Sequence, residues 1–217
     1  MTVRNGGRIK MDVKAGYFFI SNNLALDFIN SRPVLEGQPK ELLSSFDSLM
    51  RWHVAAGLLV EEVGAEFLRR WRDTPQAAAA LEQALAFRER LREEIIRVEA
   101  SKGIRPKMII ELNHLLQEHV LPLQIVPLAE GFAEEFRFAP RVPTDLLGPI
   151  AYAAADLFTK FDLRRIRKCR NCVFHFYDTT KNDTRRWCSM KICGNRAKVA
   201  SYVARRRQAW PPRRIKT

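Results

Sequence analysis

Apolar residues recur at helical spacing through most of the chain as far as Lys160. Leu24, Ala25, Phe28 and Ile29 fall three to four residues apart and predict a helix over 24–30. Ser21, Asn22 and Asn23 precede it as cap candidates. Arg32-Pro33 closes it, because a residue before proline avoids the helical region. Ser45 to Leu59 carries Leu49, Trp52, Ala56 and Leu59 on one stripe, weakened at its end by Gly57, and Glu61 to Arg72 forms another helix that stops before Pro75. The longest periodic stretch is Gln76 to Ser101, Ala-rich and then charged, with Leu81, Leu85, Leu91, Ile95 and Val98 among its apolar positions. Shorter amphipathic helices are expected at Lys107–Gln117 and Asp145–Phe161.

The period changes in two places. Tyr17 to Ile20 is an aromatic and branched run that reads as a short strand. Leu121–Leu128 and Phe132–Phe138 are joined through Ala129, Glu130 and Gly131, which predicts a β-hairpin. No run of eighteen or more apolar residues appears, which excludes an ordinary membrane-spanning helix. Met1 to Lys14 is polar and basic, without the apolar core of a secretory signal, so a reducing cytoplasm is the expected compartment.

Charge divides the chain more sharply than composition. Residues 161–217 hold 17 Lys and Arg against 3 Asp, whereas residues 1–160 hold 20 Lys and Arg against 21 Asp and Glu. The whole of the formal +13 therefore sits on one small module. A positive field so concentrated points to a polyanionic partner, nucleic acid before an anionic membrane. The larger, nearly neutral part is long enough to bury a core alone. The remaining segment is short and charged, and modules of that kind need a metal or disulfides.

All four cysteines lie in that module, as Cys169-x2-Cys172 and Cys188-x4-Cys193. Two pairs separated by a hairpin's length of chain have the spacing of a tetrahedral structural zinc site, and a reducing compartment disfavours the alternative of two disulfides. One structural Zn²⁺ is expected, held by Cys169, Cys172, Cys188 and Cys193. His175 is a rival ligand but is redundant beside four thiolates. Val173–Tyr177 reads as a strand, with Thr184–Trp187 returning toward the second pair. A helix over Arg196–Arg207 follows, with Val199, Tyr202 and Val203 as its packing face. A last ligand at a helix start is treble-clef order, and the positive helix end helps to hold the thiolate. The expected fold class is α+β, predominantly α: a helical N-terminal domain at 1–160 with a small β-hairpin, and a treble-clef-like finger at 161–217. Loss of a cysteine is expected to unfold the finger and leave the helical domain intact.

At these residues the chain resembles a known family. Arg185-Arg186-Trp187-Cys188-Ser189-Met190 followed by Cys193-Gly194-Asn195-Arg196 resembles the zinc finger named for its Cys-Gly-Asn-Arg motif. Asn23-Leu24-Ala25-Leu26-Asp27-Phe28-Ile29-Asn30 and Pro149-Ile150-Ala151 with Ala154-Ala155-Asp156-Leu157 resemble the ABATE domain that commonly precedes that finger. The resemblance implies a bacterial stress-induced transcriptional regulator whose finger binds DNA and whose N-terminal domain senses a small molecule.

Arg185, Arg186, Arg196, Lys198, Arg205, Arg206 and Arg207 are the candidates for phosphate or base contact, since guanidinium can grip either bidentately. Solvated charge or internal ion pairing is the plainer reading of each. Asp27 and Asn30, with Arg88 and Arg92 on the long helix, are candidates to line an effector pocket by complementary charge, against the alternative of capping and an internal ion pair. Glu111 with His114 and Glu118 with His119 lack the His-Glu-x-x-His spacing of a catalytic metal. No phosphate loop or nucleophile elbow appears, so an enzyme is not expected. Binding to structured RNA is the alternative to DNA, and recruitment of an acidic protein a third reading. Symmetric DNA sites would favour a homodimer, although no heptad seam announces one.

Overall fold

The longest apolar stripe becomes the longest helix, α4 (Pro75–Glu99). Pro75 occupies its first turn, where a missing N–H costs nothing, and the Thr74 hydroxyl accepts a hydrogen bond from Ala77 N–H at 3.2 Å. Ala77, Ala80, Ala84, Phe87, Leu91 and Ile95 are buried along one face, so the other helices assemble around this rod. The computed structural model describes residues 2–3 and 12–209, with side chains over 13–206.

In chain order the elements are β1 (Thr2–Val3), β2 (Asp12–Lys14), β3 (Tyr17–Phe19), α1 (Leu24–Ile29), β4 (Val34–Leu35), β5 (Gln38–Pro39), α2 (Phe46–Ala55), α3 (Glu61–Trp71), then α4 and α5 (Pro106–Glu118). There follow β6 (Leu123–Pro127), β7 (Phe132–Arg137), α6 (Gly148–Lys160), β8 (Ile166–Lys168), β9 (His175–Tyr177) and α7 (Asn195–Ala209). The predominantly helical α+β class follows from this order. The expected helices over 24–30, 45–59, 61–72, 76–101, 107–117 and 145–161 all form, the last entered through a 3₁₀ turn at Pro143–Leu147.

The wholly buried α1 lies against α6 and α4. Phe28 and Phe19 flank the buried Trp52 of α2, with ring centroids at 5.5 and 5.7 Å. Close packing of α3 on α2 depends on Gly64, where a Cβ would stand 2.8 Å from Val54 Cγ2. The hairpin β6–β7 pairs Leu123 with Phe136 and Pro127 with Phe132, and β1 adds to its edge through Thr2↔Arg137. Its Leu123, Ile125 and Phe132 face solvent, and Phe136 turns to the Tyr152 ring at 4.3 Å.

Two outcomes in the basic module depart from expectation. Its strand β9 pairs with β8, not with Thr184–Trp187, through Ile166↔Tyr177 and Lys168↔His175. The first cysteine pair therefore forms the turn of the hairpin, closed by Cys169 N–H donating to Phe174 C=O at 2.8 Å. Segment 178–187 is instead a loop built on Asp178, whose carboxylate accepts from Thr180 N–H, Thr180 Oγ1 and Arg185 N–H. The second departure is α7, whose expected packing face is exposed: Val199 62%, Tyr202 54% and Val203 40%. The described side chains from Lys198 to Arg206 are all exposed, so nothing among the described residues buries that stripe.

Candidate metal centre and basic surface

The four thiols converge at the closed end of the β8–β9 hairpin and at the π-helical segment Met190–Gly194 that leads into α7. All four Sγ atoms lie within 4.8 Å of one another, and Cys172 Sγ stands 3.6 Å from Cys188 Sγ. Zinc bonded to four sulfurs at about 2.3 Å requires sulfurs about 3.8 Å apart, so this cluster matches a single ion. Three of the four are buried. Without a cation, hydrogen bonds from Cys172 and Cys188 hold the Cys169 thiol low. The same contacts push Cys188 far up and Cys172 to about 12. A divalent ion removes that conflict by making all four thiolates, with proton release. A complete shell of sulfur leaves no open position for substrate, as in structural rather than catalytic sites.

A Cβ on Gly194 would meet Met190 Sδ at 2.6 Å and Trp187 Cδ1 at 3.4 Å, so glycine leaves room for these two side chains, and Trp187 packs against the buried cysteines. His175 takes no part in the cluster: its ring reaches Glu99 at 3.2 Å, and burial lowers its pKa.

The finger is joined to α1 and the segment before it. Asn30 donates to His175 C=O at 2.8 Å and accepts from His175 N–H at 3.1 Å, satisfying both backbone groups of a strand residue with one amide. Tyr177 N–H donates to Ser21 C=O at 2.8 Å, and Asn22 donates to Tyr177 C=O at 3.1 Å. Asn22 itself adopts φ 62°, a left-handed conformation that asparagine tolerates. Apolar packing crosses the same boundary. Ile20 and Phe18 pack with Phe174, Phe176 and the cysteines, while Ile166 and Tyr177 pack with the helical core.

Arg185 sits at the centre of this joint. Its guanidinium lies 4.1 Å over the Phe176 ring and donates to the carbonyls of Ile20, Trp187 and Cys188. Burial lowers its pKa, against the pull of neighbouring negative groups. Expected as a phosphate contact, this side chain is turned inward because the carbonyls of Ile20, Tyr177, Trp187 and Cys188 converge on it.

Asp27 and Asn30 come together in the buried interior. Asp27 Oδ1 accepts from Ile20 N–H and Ser21 N–H, each at 2.9 Å. Burial pushes its carboxyl up to about 7, against those hydrogen bonds and the charge of Arg185. Arg88, only 2% exposed, makes a fork with Glu41 at 2.7 and 2.5 Å and bonds Ser31. Burial alone would raise Glu41, but Arg88 outweighs it and holds the carboxyl below its usual range. Arg92 caps the end of α1 through Ile29 C=O. Arg88, Arg92 and Asn30 are thus engaged in internal contacts, whereas Asp27 Oδ2 is buried with no hydrogen-bond partner among the described residues.

Arg186, Arg196, Lys198, Arg205 and Arg206 are exposed, and Arg206 lies over the Tyr202 ring at 5.8 Å. Arg207 is on the helical backbone of α7, but its side chain lies outside the described residues. Most of Met1–Lys14 lies outside them too. Sequence reasoning did not single out the groove where the two parts meet, an opening of about 860 Å³. Val98 to Gly103 at the end of α4 form one wall, and Leu163 to Arg170 with Asp183 to Arg186 form the other. Its only sequence signal was the density of Arg and Lys from 164 to 170.

No helix among the described residues is long and apolar enough to cross a membrane. A comparison with curated proteins returned no match. Residues 165–206 match the model of the CGNR zinc finger, which agrees with the thiol geometry, and the four cysteines hold one structural zinc ion. Residues 22–160 match the ABATE model, described as "Putative stress-induced transcription regulator". Covering more than half of the chain, that match places the protein in the ABATE family, with a CGNR zinc finger at its C-terminus.

Proposed function

We propose that this protein is a transcriptional regulator that binds double-stranded DNA through its zinc-stabilised basic module. The observation that carries the reading is the concentration of 17 Lys and Arg against 3 Asp in residues 161–217, on a module ordered by zinc and joined to the helical domain through Asn30 and Arg185. Zinc holds the fold and takes no part in a reaction. Arg186, Arg196, Lys198, Arg205 and Arg206, all exposed, supply cations to the DNA-facing surface, and the module follows treble-clef order with α7 after its last ligand. The helical domain sets the position of the finger and is where an effector would act.

The test is a single competition at about 150 mM salt, in which zinc-loaded protein is offered genomic DNA fragments and total cellular RNA and the retained nucleic acid is sequenced. Enrichment of a defined DNA sequence supports the reading. Retained RNA, or no retention, refutes it. With about six phosphates neutralised, log affinity for duplex DNA falls against log salt with a slope near −5.

A further inference from the structure

Many arginines of the helical domain are matched with carboxylates. Arg72 meets Asp47, Arg88 meets Glu41, Arg90 meets Glu111, and Arg105 meets Glu93 and Glu94. At the groove between α4 and β8 the pattern reverses. Lys102, Arg167, Lys168, Arg170 and Arg186 all line it, all are exposed, and among the described residues none is ion-paired. The two carboxylates on its walls are already engaged, Glu99 with His175 and Asp183 with Arg165. Five like charges gathered without counter-charge oppose folding, and they are carried on both sides of one opening.

Resting on the DNA-binding reading, we propose that this groove is the track for the phosphate backbone of double-stranded DNA, so that the helical domain itself contributes a cation, Lys102, to the DNA surface. Lining chemistry selects the occupant. Small-molecule pockets of comparable size are mostly apolar with a few convergent polar groups. Here the aliphatic lining is Val98, Leu163 and Ile166, and the charges stand on long, solvated side chains. Such side chains suit a repeating anion that stays hydrated, and phosphate contacts of this kind set position without reading sequence. The strand geometry agrees. Arg167 and Lys168 lie on β8 and Arg170 in the turn that follows it, so the cations of this wall are spread along the chain rather than gathered at a single point. The exposed helix α7 then remains to reach base edges.

The experiment measures binding of the full zinc-loaded chain to a random-sequence DNA duplex by fluorescence anisotropy, from 0.05 to 0.4 M salt. The variants are the triple change Arg167→Gln, Lys168→Gln, Arg170→Gln, the single change Lys102→Gln, and the charge-preserving pair Arg167→Lys, Arg170→Lys. Removing three phosphate contacts shallows the log–log slope by about 2.7 and weakens binding on the order of a hundredfold at 0.15 M salt; Lys102→Gln takes about 0.9 from the slope and roughly fivefold from affinity. The charge-preserving pair retains the wild-type slope. Zinc content of one equivalent shows that each variant is folded. A wild-type slope in the triple variant or in Lys102→Gln overturns the track while leaving DNA binding through α7 standing. Displacement of DNA by stoichiometric inorganic tripolyphosphate overturns it as well, making the groove a small-anion site. Absence of any binding by the unmodified protein at 0.05 M salt refutes the DNA reading and the groove with it.

Discussion

Replacing Asn30 by Ala isolates the joint between the two parts. The substitution deletes three hydrogen bonds: to His175 C=O at 2.8 Å, from His175 N–H at 3.1 Å, and to Ser21 Oγ at 2.7 Å. Asn30 and His175 are 2% and 4% exposed, so water cannot readily replace the lost partner. At about 1 kcal/mol per bond, with a further 1–3 kcal/mol for backbone groups left unsatisfied, the loss comes to about 4–6 kcal/mol. Urea unfolding with zinc in excess would measure it, following helix content by far-UV circular dichroism and the finger by the thiolate charge-transfer band of a cobalt-substituted sample. Both signals shift to lower urea, because the bonds belong to the interface. Asn30→Asp is the sharper companion: it keeps an acceptor for His175 N–H but sets a carboxylate against His175 C=O, and it destabilises at least as much at neutral pH. A loss in Asn30→Ala smaller than a single weak hydrogen bond contributes, about 0.5 kcal/mol, would refute the interface argument, as would a shift confined to one signal.

Cys172→Ser and Cys188→Ser should each abolish stoichiometric zinc. Because Phe18 and Ile20 pack against the cysteines, they should also lower the helical transition measurably; one retained zinc in both variants contradicts the ligand assignment. Arg185→Lys removes the fork that serves the carbonyls of Ile20, Trp187 and Cys188. It should cost about 2–4 kcal/mol of finger stability, with duplex affinity of the folded fraction nearly unchanged; a stable variant with lost DNA affinity would return Arg185 to the binding surface. Asp27 is raised from 3.8 to about 7 in the folded state, so the native protein binds the extra proton. Its contribution is full below about pH 4 and is lost as pH rises through 7. Between pH 6 and 8 the wild type should lose about 1 kcal/mol more than Asp27→Asn, measured by urea unfolding with saturating zinc; parallel pH profiles would refute it.

The elements formed by strong periodicity were legible. Each helix expected before the basic module is present within a few residues of its bounds, because the same apolar stripe that marks a helix must be buried by it. The cysteine cluster was legible for a related reason, since spacing and ligand chemistry together leave few arrangements. What stayed hidden depends on contacts far apart in sequence. Asn30 and His175 are 145 residues apart, and nothing local in either announces the other. A polar residue on a wholly buried helix has to satisfy a distant backbone as readily as a ligand, which is why Asp27 and Asn30 resembled a pocket. Arg185 illustrates the same limit. An arginine beside a zinc ligand faces outward or inward according to which carbonyls lack donors, and that is settled only when Ile20 arrives. The stripe Val199, Tyr202 and Val203 kept its helical period but found no surface to cover.

With 25 residues at about 1.5 Å each, α4 is a rod about 37 Å long, and its C-terminal end forms one wall of the groove. A rod of that length works as a lever. Tilting it by about 5° about its far end would carry Glu99 roughly 3 Å, about one strand residue's rise. The width of the opening is therefore tied to the tilt of α4, and because Glu99 at that end meets His175 of the finger, any shift of the rod would be felt where the two parts of the chain meet.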